Sequence, residues 1–295
     1  SIGFNRISFG VQDFNPLVQK AVHREQSFES VESLVKAARR LGFESINVDL
    51  IYGLPKQNPE RFAETLDQLV SLSPDRVALY GYAHLPERFK PQRRIHSEDL
   101  PDAAGRVALL AQAIERMQGA GYDYIGMDHF AKPQDPLAVA KRQGRLHRNF
   151  QGYTTQPDAD LIGLGVSAIS KVGSVMVQNT RELDAYEDAL SRGHLALFRG
   201  HELTRDDIIR YSVIMGLLCQ GSVQFQDYSQ SHWIEFESYF EKELAQLRQF
   251  SEQGLLDIDE QGIEVTPLGW FFARPSAMVF DHYLHQRSSG HSKVL

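Results

Sequence analysis

Five short apolar runs in this chain end in side chains that could do chemistry: Gln12 and Asp13, Asp49, Tyr82 and His84, Asp128 and His129, and Ser167. A carboxylate at a strand end, such as Asp49, can accept two ribose hydroxyls. It can equally bond its own loop, and Gln12 carries the same two readings. Arg24, within His23-Arg24-Glu25-Gln26, can hold a carboxylate through two parallel donors or make a surface ion pair. Lys141, Arg142, Arg145 and Arg148 surround His147. They would receive a substrate with several carboxylates, or form a solvated helix face. His84, His129 and His147 lack a ligand spacing with Cys or carboxylates, which sets zinc aside. Gly163-Leu164-Gly165-Val166-Ser167-Ala168 has the form G-x-G-x-x-A, but Lys171-Val172-Gly173-Ser174 follows where that motif needs a helix. These glycines read better as a close backbone approach or a bulge.

The elements that must position these residues alternate. Apolar spacing predicts helices over 27–42, 59–71 and 100–121, and strands over 4–11, 45–52, 76–83, 124–127 and 161–166. Strand, helix, strand in this order implies a parallel β/α sheet with right-handed crossovers. Functional side chains gathered at successive strand ends are the pattern of a barrel-type site. A closed eightfold barrel takes about 250 residues, and only five units fit before residue 200. The barrel is therefore expected to be partial. A strand starting near residue 4 suggests a piece of a longer protein that lacks its opening strands; an N-terminal edge strand is the alternative. Such an edge would favour self-association, whereas the longer parent is expected to be a monomer.

After residue 203 the character changes. Thr204 with Asp206 and Asp207 starts a helix reaching about Cys219. A helix over 232–253 follows, then a hairpin over 255–266 that turns at Glu260-Gln261-Gly262, and a last helix after Thr266-Pro267. We read 1–203 as the partial barrel and 204–295 as a mostly helical, winged-helix-like domain. From 204 to 295 there are 7 Lys/Arg and 13 Asp/Glu. That balance repels phosphate, so a lid or docking role fits better than DNA binding.

The totals narrow the class further. The net charge of −7 argues against nucleic acid as a partner. No apolar run approaches the roughly 18 residues of a membrane span. The single cysteine, Cys219, fits a reducing, cytoplasmic setting. It cannot make an internal disulfide or hold an iron–sulfur cluster, which takes three or four thiolates.

Several blocks together resemble the oxygen-independent coproporphyrinogen III oxidases of the radical-SAM superfamily. They are Gly10-Val11-Gln12-Asp13-Phe14, Arg24-Glu25-Gln26, Asp49 through Pro55 and Tyr82-Ala83-His84. Further on come Gly126-Met127-Asp128-His129-Phe130, His147 through Thr155 and Gly165-Val166-Ser167-Ala168-Ile169. The family's C-x-x-x-C-x-x-C motif is not in this chain. His23 stands where the family usually has Asn, and Lys132 where it usually has Arg. The resemblance implies an α/β partial barrel of radical-SAM type, without its opening strands, followed by the helical domain. It implies S-adenosylmethionine (SAM) and a [4Fe–4S] cluster whose ligands lie outside this chain, and hence a fragment inactive alone. The implied reaction is oxidative decarboxylation of coproporphyrinogen III to protoporphyrinogen IX. It would use a 5′-deoxyadenosyl radical, with an electron donor and an acceptor that the sequence does not name. Carried over by position, Gln12 and Asp49 would bind polar groups of SAM, and Arg24 its methionine carboxylate. Ile51, Tyr80 and Ala83 would flank the adenine. Phe150, Gln151 and Ile169 would contact a second SAM or the substrate face. Arg145, His147 and Arg148 are the substrate-binding candidates. The competing reading is a non-catalytic haem or tetrapyrrole chaperone of the same superfamily.

Overall fold

Alternating burial shapes the first sheet. In Arg6–Gln12 (β1) and Ser45–Tyr52 (β2), paired in parallel, one face of β2 is closed off: Ile46, Val48, Leu50 and Tyr52 are buried. Asn47, Asp49 and Ile51 stay half-buried on the other face. A strand with period two can pack helices on one side and leave a polar row on the other. The computed structural model describes residues 3–157 and 159–284. They divide at Gln143/Gly144 into two compact units.

In the first unit, Pro16–Ala21 (α1) and Phe28–Arg40 (α2) follow β1, and Pro59–Leu72 (α3) follows β2. Arg76–Gly81 (β3), Ala103–Gly119 (α4), Asp123–Gly126 (β4), His129–Ala131 (β5) and Pro136–Arg142 (α5) complete it. The helix starts carry the caps that the sequence offers: Ser27, Asn58 and Asp102 accept from the backbone of Ser30, Arg61 and Gly105. Val31, Val35, Phe62, Leu66, Leu109 and Met117 from the helices pack on Ile46, Val48, Leu50, Val77 and Leu79. Each fully buried side chain of this size contributes about 1.5–3 kcal/mol.

The sheet is open, in the order β1-β2-β3-β5-β4. β1, β2 and β3 are parallel, as expected. The expectation of an all-parallel sheet needs one correction. β5 lies between β3 and β4 and is antiparallel to both. The cause is a sharp reversal at 126–128, where Gly126, Met127 and Asp128 all have positive φ (139°, 39° and 75°). The chain folds straight back, and the Leu79 amide bonds the Asp128 carbonyl at 2.7 Å.

The second unit begins with a hairpin of His147–Asn149 (β6) and Gly152–Thr154 (β7). Ile169–Val172 (β8), Val175–Asn179 (β9) and Leu197–Glu202 (β10) form an antiparallel sheet, with Leu183–Ser191 (α6) before β10. The strand expected over 161–166 does not form. Only Leu161 bridges to Lys171, because Gly165 sits at φ +101°. A Cβ on Gly163 would lie 2.5 Å from the Ile169 carbonyl oxygen. Gly163 thus serves a close backbone approach, whereas Gly165 serves the positive φ.

Arg205–Met215 (α7) opens with a capping box between Thr204 and Asp207, and Gly216–Gln220 adds a π-helical turn. Ser222–Gln224 (β11), Leu256–Ile258 (β12) and Gly262–Val265 (β13) form a three-stranded sheet in the order β11-β13-β12. The β12–β13 turn is closed by Asp259, whose side chain accepts from the amides of Gln261 and Gly262. The helix expected over 232–253 is broken. Trp233, at φ +54°, ends Phe225–His232 (α8), and Phe236–Tyr239 (α9) and Glu241–Glu252 (α10) follow. Ala273–Met278 (α11) is the last helix described. The change of composition at 203/204 marks the start of α7. The compact division falls earlier, because the β6–β7 hairpin bonds into the helices that follow. Tyr153 donates to the Leu218 carbonyl and Gln220 to the Leu146 carbonyl, each at 2.8 Å.

Candidate active site

The polar face of the first sheet is a grid fixed by register. Gly10, Asp49, Ala78 and His129 are successive cross-strand partners, and Ser8, Asn47 and Arg76 form the next row. Ile51 pairs with Tyr80 one step further along, and Ala83 follows just past the end of β3. Asp49 Oδ1 accepts from Asn47 Nδ2 at 2.6 Å, and Oδ2 from Ser8 Oγ at 3.3 Å. Each carboxylate oxygen can take a further donor, so the group is oriented and still open to two hydroxyls.

Beside Asp49 the backbone is unusual. β1 bulges between Gly10 and Gln12, and Gln12 has φ +71°. A non-glycine residue held there costs about 1–3 kcal/mol and marks a constrained place. Arg24 Nη2 donates to the Gly10 carbonyl at 2.5 Å. A Cβ on Gly10 would fall 2.9 Å from Gln12 Nε2 and 3.1 Å from Arg24 Nη2. Gly10 is therefore the floor on which Gln12 and Arg24 meet, next to Asp49.

Buried amides hold this arrangement, and the sequence reading missed them. Gln57 Nε2 donates to Asp13 Oδ2 (2.6 Å) and to the Ile51 carbonyl (2.8 Å). Its Oε1 accepts from the amides of Gly53 (2.7 Å) and Leu54 (3.1 Å). Asp13 Oδ1 also accepts from Thr65 Oγ1 and the Asn15 amide. Gln19 bonds both the Asp13 carbonyl and the backbone of Gln26, closing the turn that carries Arg24. Asp13 is 1% exposed, and burial raises its carboxyl above the ordinary value against the hydrogen bonds of Gln57, Asn15 and Thr65. Asp13 is thus a structural hub. The only sequence signal for Gln57 was its place two residues after Gly53-Leu54-Pro55.

His129 stands on the same face. Its Nδ1 donates to the Met127 carbonyl at 2.8 Å, and its ring meets Tyr80 edge-on at 6.0 Å. The basic run divides. Lys141 donates to the Tyr124 carbonyl, and burial lowers its ammonium to about 8. Arg142 pairs with Asp123.

In the second unit, Phe150 and Gln151 form the β6–β7 turn, whereas Ile169 lies on β8 and pairs with Gln178. His147 and Arg148 line a cavity of about 880 Å³ within that unit, together with Lys171, Met176, Tyr211 and Cys219. Arg145 is exposed and is not part of that lining.

The donor set fits SAM and does not fit a cluster. Asp49, Gln12 and Arg24 offer acceptors and a cation suited to a ribose and an amino-acid carboxylate. Cys219 is the only thiol; it is 3% exposed, and burial pushes it up to about 12 against the pull of Arg148. It is protonated at neutral pH and has no partner thiols, so this chain cannot ligate a [4Fe–4S] cluster. Among the described residues no group of His, Cys, Asp and Glu could hold a metal ion, and no helix is long and apolar enough to cross a membrane.

Residues 1–69 match the Radical SAM superfamily, and residues 203–272 match the HemN C-terminal domain. The oxygen-independent coproporphyrinogen III oxidase of Thermostichus vulcanus is 45% identical over 288 residues, covering 97% of this chain and 89% of that protein. The chain belongs to the oxygen-independent coproporphyrinogen III oxidase family. The family members from Pseudomonas aeruginosa and Escherichia coli are 48% and 49% identical over 96% and 97% of the chain. The chain spans 62% and 63% of their lengths. The solved Escherichia coli coproporphyrinogen III oxidase, described as a radical SAM enzyme, superposes with a TM-score of 0.92 at 49% identity. It covers 96% of this chain, which in turn covers 65% of it. Family membership accounts for the radical-SAM partial α/β fold and for SAM and an iron–sulfur cluster as the group's general cofactors.

Proposed function

We propose that this chain is the SAM-cradling and substrate-facing part of an enzyme that converts coproporphyrinogen III propionates to vinyl groups without oxygen. The product is protoporphyrinogen IX, and the setting is haem biosynthesis in the cytoplasm. The observation that carries this reading is the meeting of Gln12 and Arg24 over Gly10, one strand from Asp49. SAM, when bound and given one electron by a cluster held outside these residues, would supply a 5′-deoxyadenosyl radical able to take hydrogen from the carbon β to a substrate carboxylate.

The residues of this chain bind and orient. Asp49 accepts the ribose hydroxyls, with Gln12 bonding the polar groups beside them. Arg24 keeps one donor on Gly10 and offers the rest of its fork to the methionine carboxylate. Ile51, Tyr80 and Ala83 form the wall against the adenine. Phe150, Gln151 and Ile169 meet a second SAM or the substrate face. His147 and Arg148 receive substrate carboxylates. The segment 204–295 acts as a lid that keeps water from the radical. The cluster ligands, the electron donor and the electron acceptor lie outside these residues.

The test is calorimetric binding of S-adenosylhomocysteine to the chain. Micromolar binding that Asp49→Asn and Arg24→Met both weaken supports the reading. Binding indifferent to both substitutions overturns the cradle. Stoichiometric haem binding without any SAM-type ligand would favour the chaperone reading instead.

A further inference from the structure

The cavity of the second unit is lined by none of Gln12, Arg24 or Asp49 but takes in Phe150, and its walls are chemically mixed. Leu146, Met176, Ile208 and Met215 give apolar surface, and Tyr211 and Tyr228 add rings. Its volume of about 880 Å³ falls in the range of small-molecule sites, about 300–1,000 Å³.

Two cations stand in this apolar setting on aromatic faces. The Arg148 guanidinium lies 5.0 Å from the Tyr153 ring centroid, and the Lys171 ammonium 4.5 Å from that of Tyr211. The Tyr153 ring is itself fixed by its hydroxyl on the Leu218 carbonyl. Arg148 Nη1 is buried and has no hydrogen-bond partner. A buried charged donor left unsatisfied is costly, and turning the guanidinium onto a carboxylate in the cavity would remove that cost. Among the described residues, Asp160 is a carboxylate in the lining, and it already accepts from the Gly173 amide at 2.7 Å.

We infer that this cavity is a binding site for a large apolar molecule bearing carboxylates, with Arg148 as the principal carboxylate anchor and Lys171 as the second. Naming its occupant as the tetrapyrrole substrate rests on the proposed function; the amphiphilic carboxylate chemistry does not. The site separates the roles of the basic run, because Arg148 faces the ligand while Arg145 lies outside the lining. It also recruits Lys171, which no motif indicated.

The test is calorimetric. Coproporphyrin III, the stable oxidised tetracarboxylate, is the probe, and its tetramethyl ester is the control. The probe should bind at least about tenfold more tightly than the ester. Arg148→Gln and Lys171→Gln should each weaken the probe by about tenfold or more, with Arg148→Lys less affected than Arg148→Gln. Met176→Trp, which fills the cavity, should abolish binding even if Arg148→Gln does not fold. No binding of the probe, equal binding of the ester, or unchanged affinity in Arg148→Gln and Met176→Trp would overturn the inference. S-adenosylhomocysteine binding of the kind that Asp49→Asn weakens, measured on the same samples, should be retained in all variants. Its absence from the unsubstituted protein would count against the cofactor cradle, not against this cavity.

Discussion

Gln57 should be worth more to this protein than any residue that touches a ligand. Gln57→Met keeps close to the side chain's length and removes four hydrogen bonds at once. Gln57 is 6% exposed and Asp13 is 1% exposed, so water does not readily replace what is lost. The amides of Gly53 and Leu54 lose their acceptor, and Asp13 Oδ2 loses its donor. Each buried polar group left unsatisfied costs about 1–3 kcal/mol, more when charged. Partial relaxation and stray water leave a net loss of about 3–5 kcal/mol. That is a large share of the 5–15 kcal/mol typical of a domain. The loss should appear in urea unfolding as a lower midpoint at unchanged slope. It should also weaken S-adenosylhomocysteine, because the Ile51 carbonyl and the loop after β2 are no longer held. A loss below about 1 kcal/mol, with ligand affinity intact, would show that the hub does not position the cradle.

Other expectations follow from the same geometry. Asp49→Asn should lower S-adenosylhomocysteine affinity about tenfold with little change in the urea midpoint, since Asp49 is only half-buried. Asp13 has a raised folded-state pKa, so the folded state keeps a proton that the unfolded state has lost. Its contribution to stability is therefore full below the ordinary carboxyl value and falls as pH rises through the folded value. Asp13→Asn should flatten that part of a plot of unfolding free energy against pH. Gly269→Ala should lower the melting temperature sharply, because a Cβ there would lie 1.8 Å from the Leu255 carbonyl oxygen. Gly254→Ala, at φ +71° in open space, should cost only about 1 kcal/mol. β1 ends the sheet order, so sedimentation should show self-association of the chain; a monodisperse monomer would refute it.

What the sequence displayed and what it hid divide along physical lines. β2 was readable to the residue, because eight positions alternate and Gly53 follows. The helix after it, expected over 59–71, was readable for the same local reason and forms over Pro59–Leu72. β5 was not, because its three residues carry no periodicity of their own. Its place between β3 and β4 depends on left-handed backbone at Met127 and Asp128, which neither residue type announces. The strand expected over 161–166 failed because apolar residues between two glycines look like a strand. The backbone approach at Gly163 is a tertiary fact. The helix expected over 232–253 failed at Trp233, whose αL conformation has no local sequence signature. At the sites, Gln12 and Asp49 stood out as polar groups at strand ends and Arg24 by its place after the first strand unit, whereas Lys171 lay on a short antiparallel strand with no pattern around it.

The proposed cradle is built from side chains of two kinds, and the difference explains why only one kind was legible. Asp49, Arg24 and Gln12 face open space, so their chemistry would be wasteful unless a ligand used it. Asp13, Gln19 and Gln57 are buried, and their chemistry is spent on backbone, on the Thr65 hydroxyl and on one another. A buried amide that satisfies four partners looks, in sequence, like any surface glutamine. Yet it is this buried set that fixes the bulge at Gln12 and the turn carrying Arg24. The ligand-facing groups are therefore free to keep unused hydrogen-bonding capacity without letting the loops drift. Substituting a facing residue should change affinity and spare stability, while substituting a buried one should change both together.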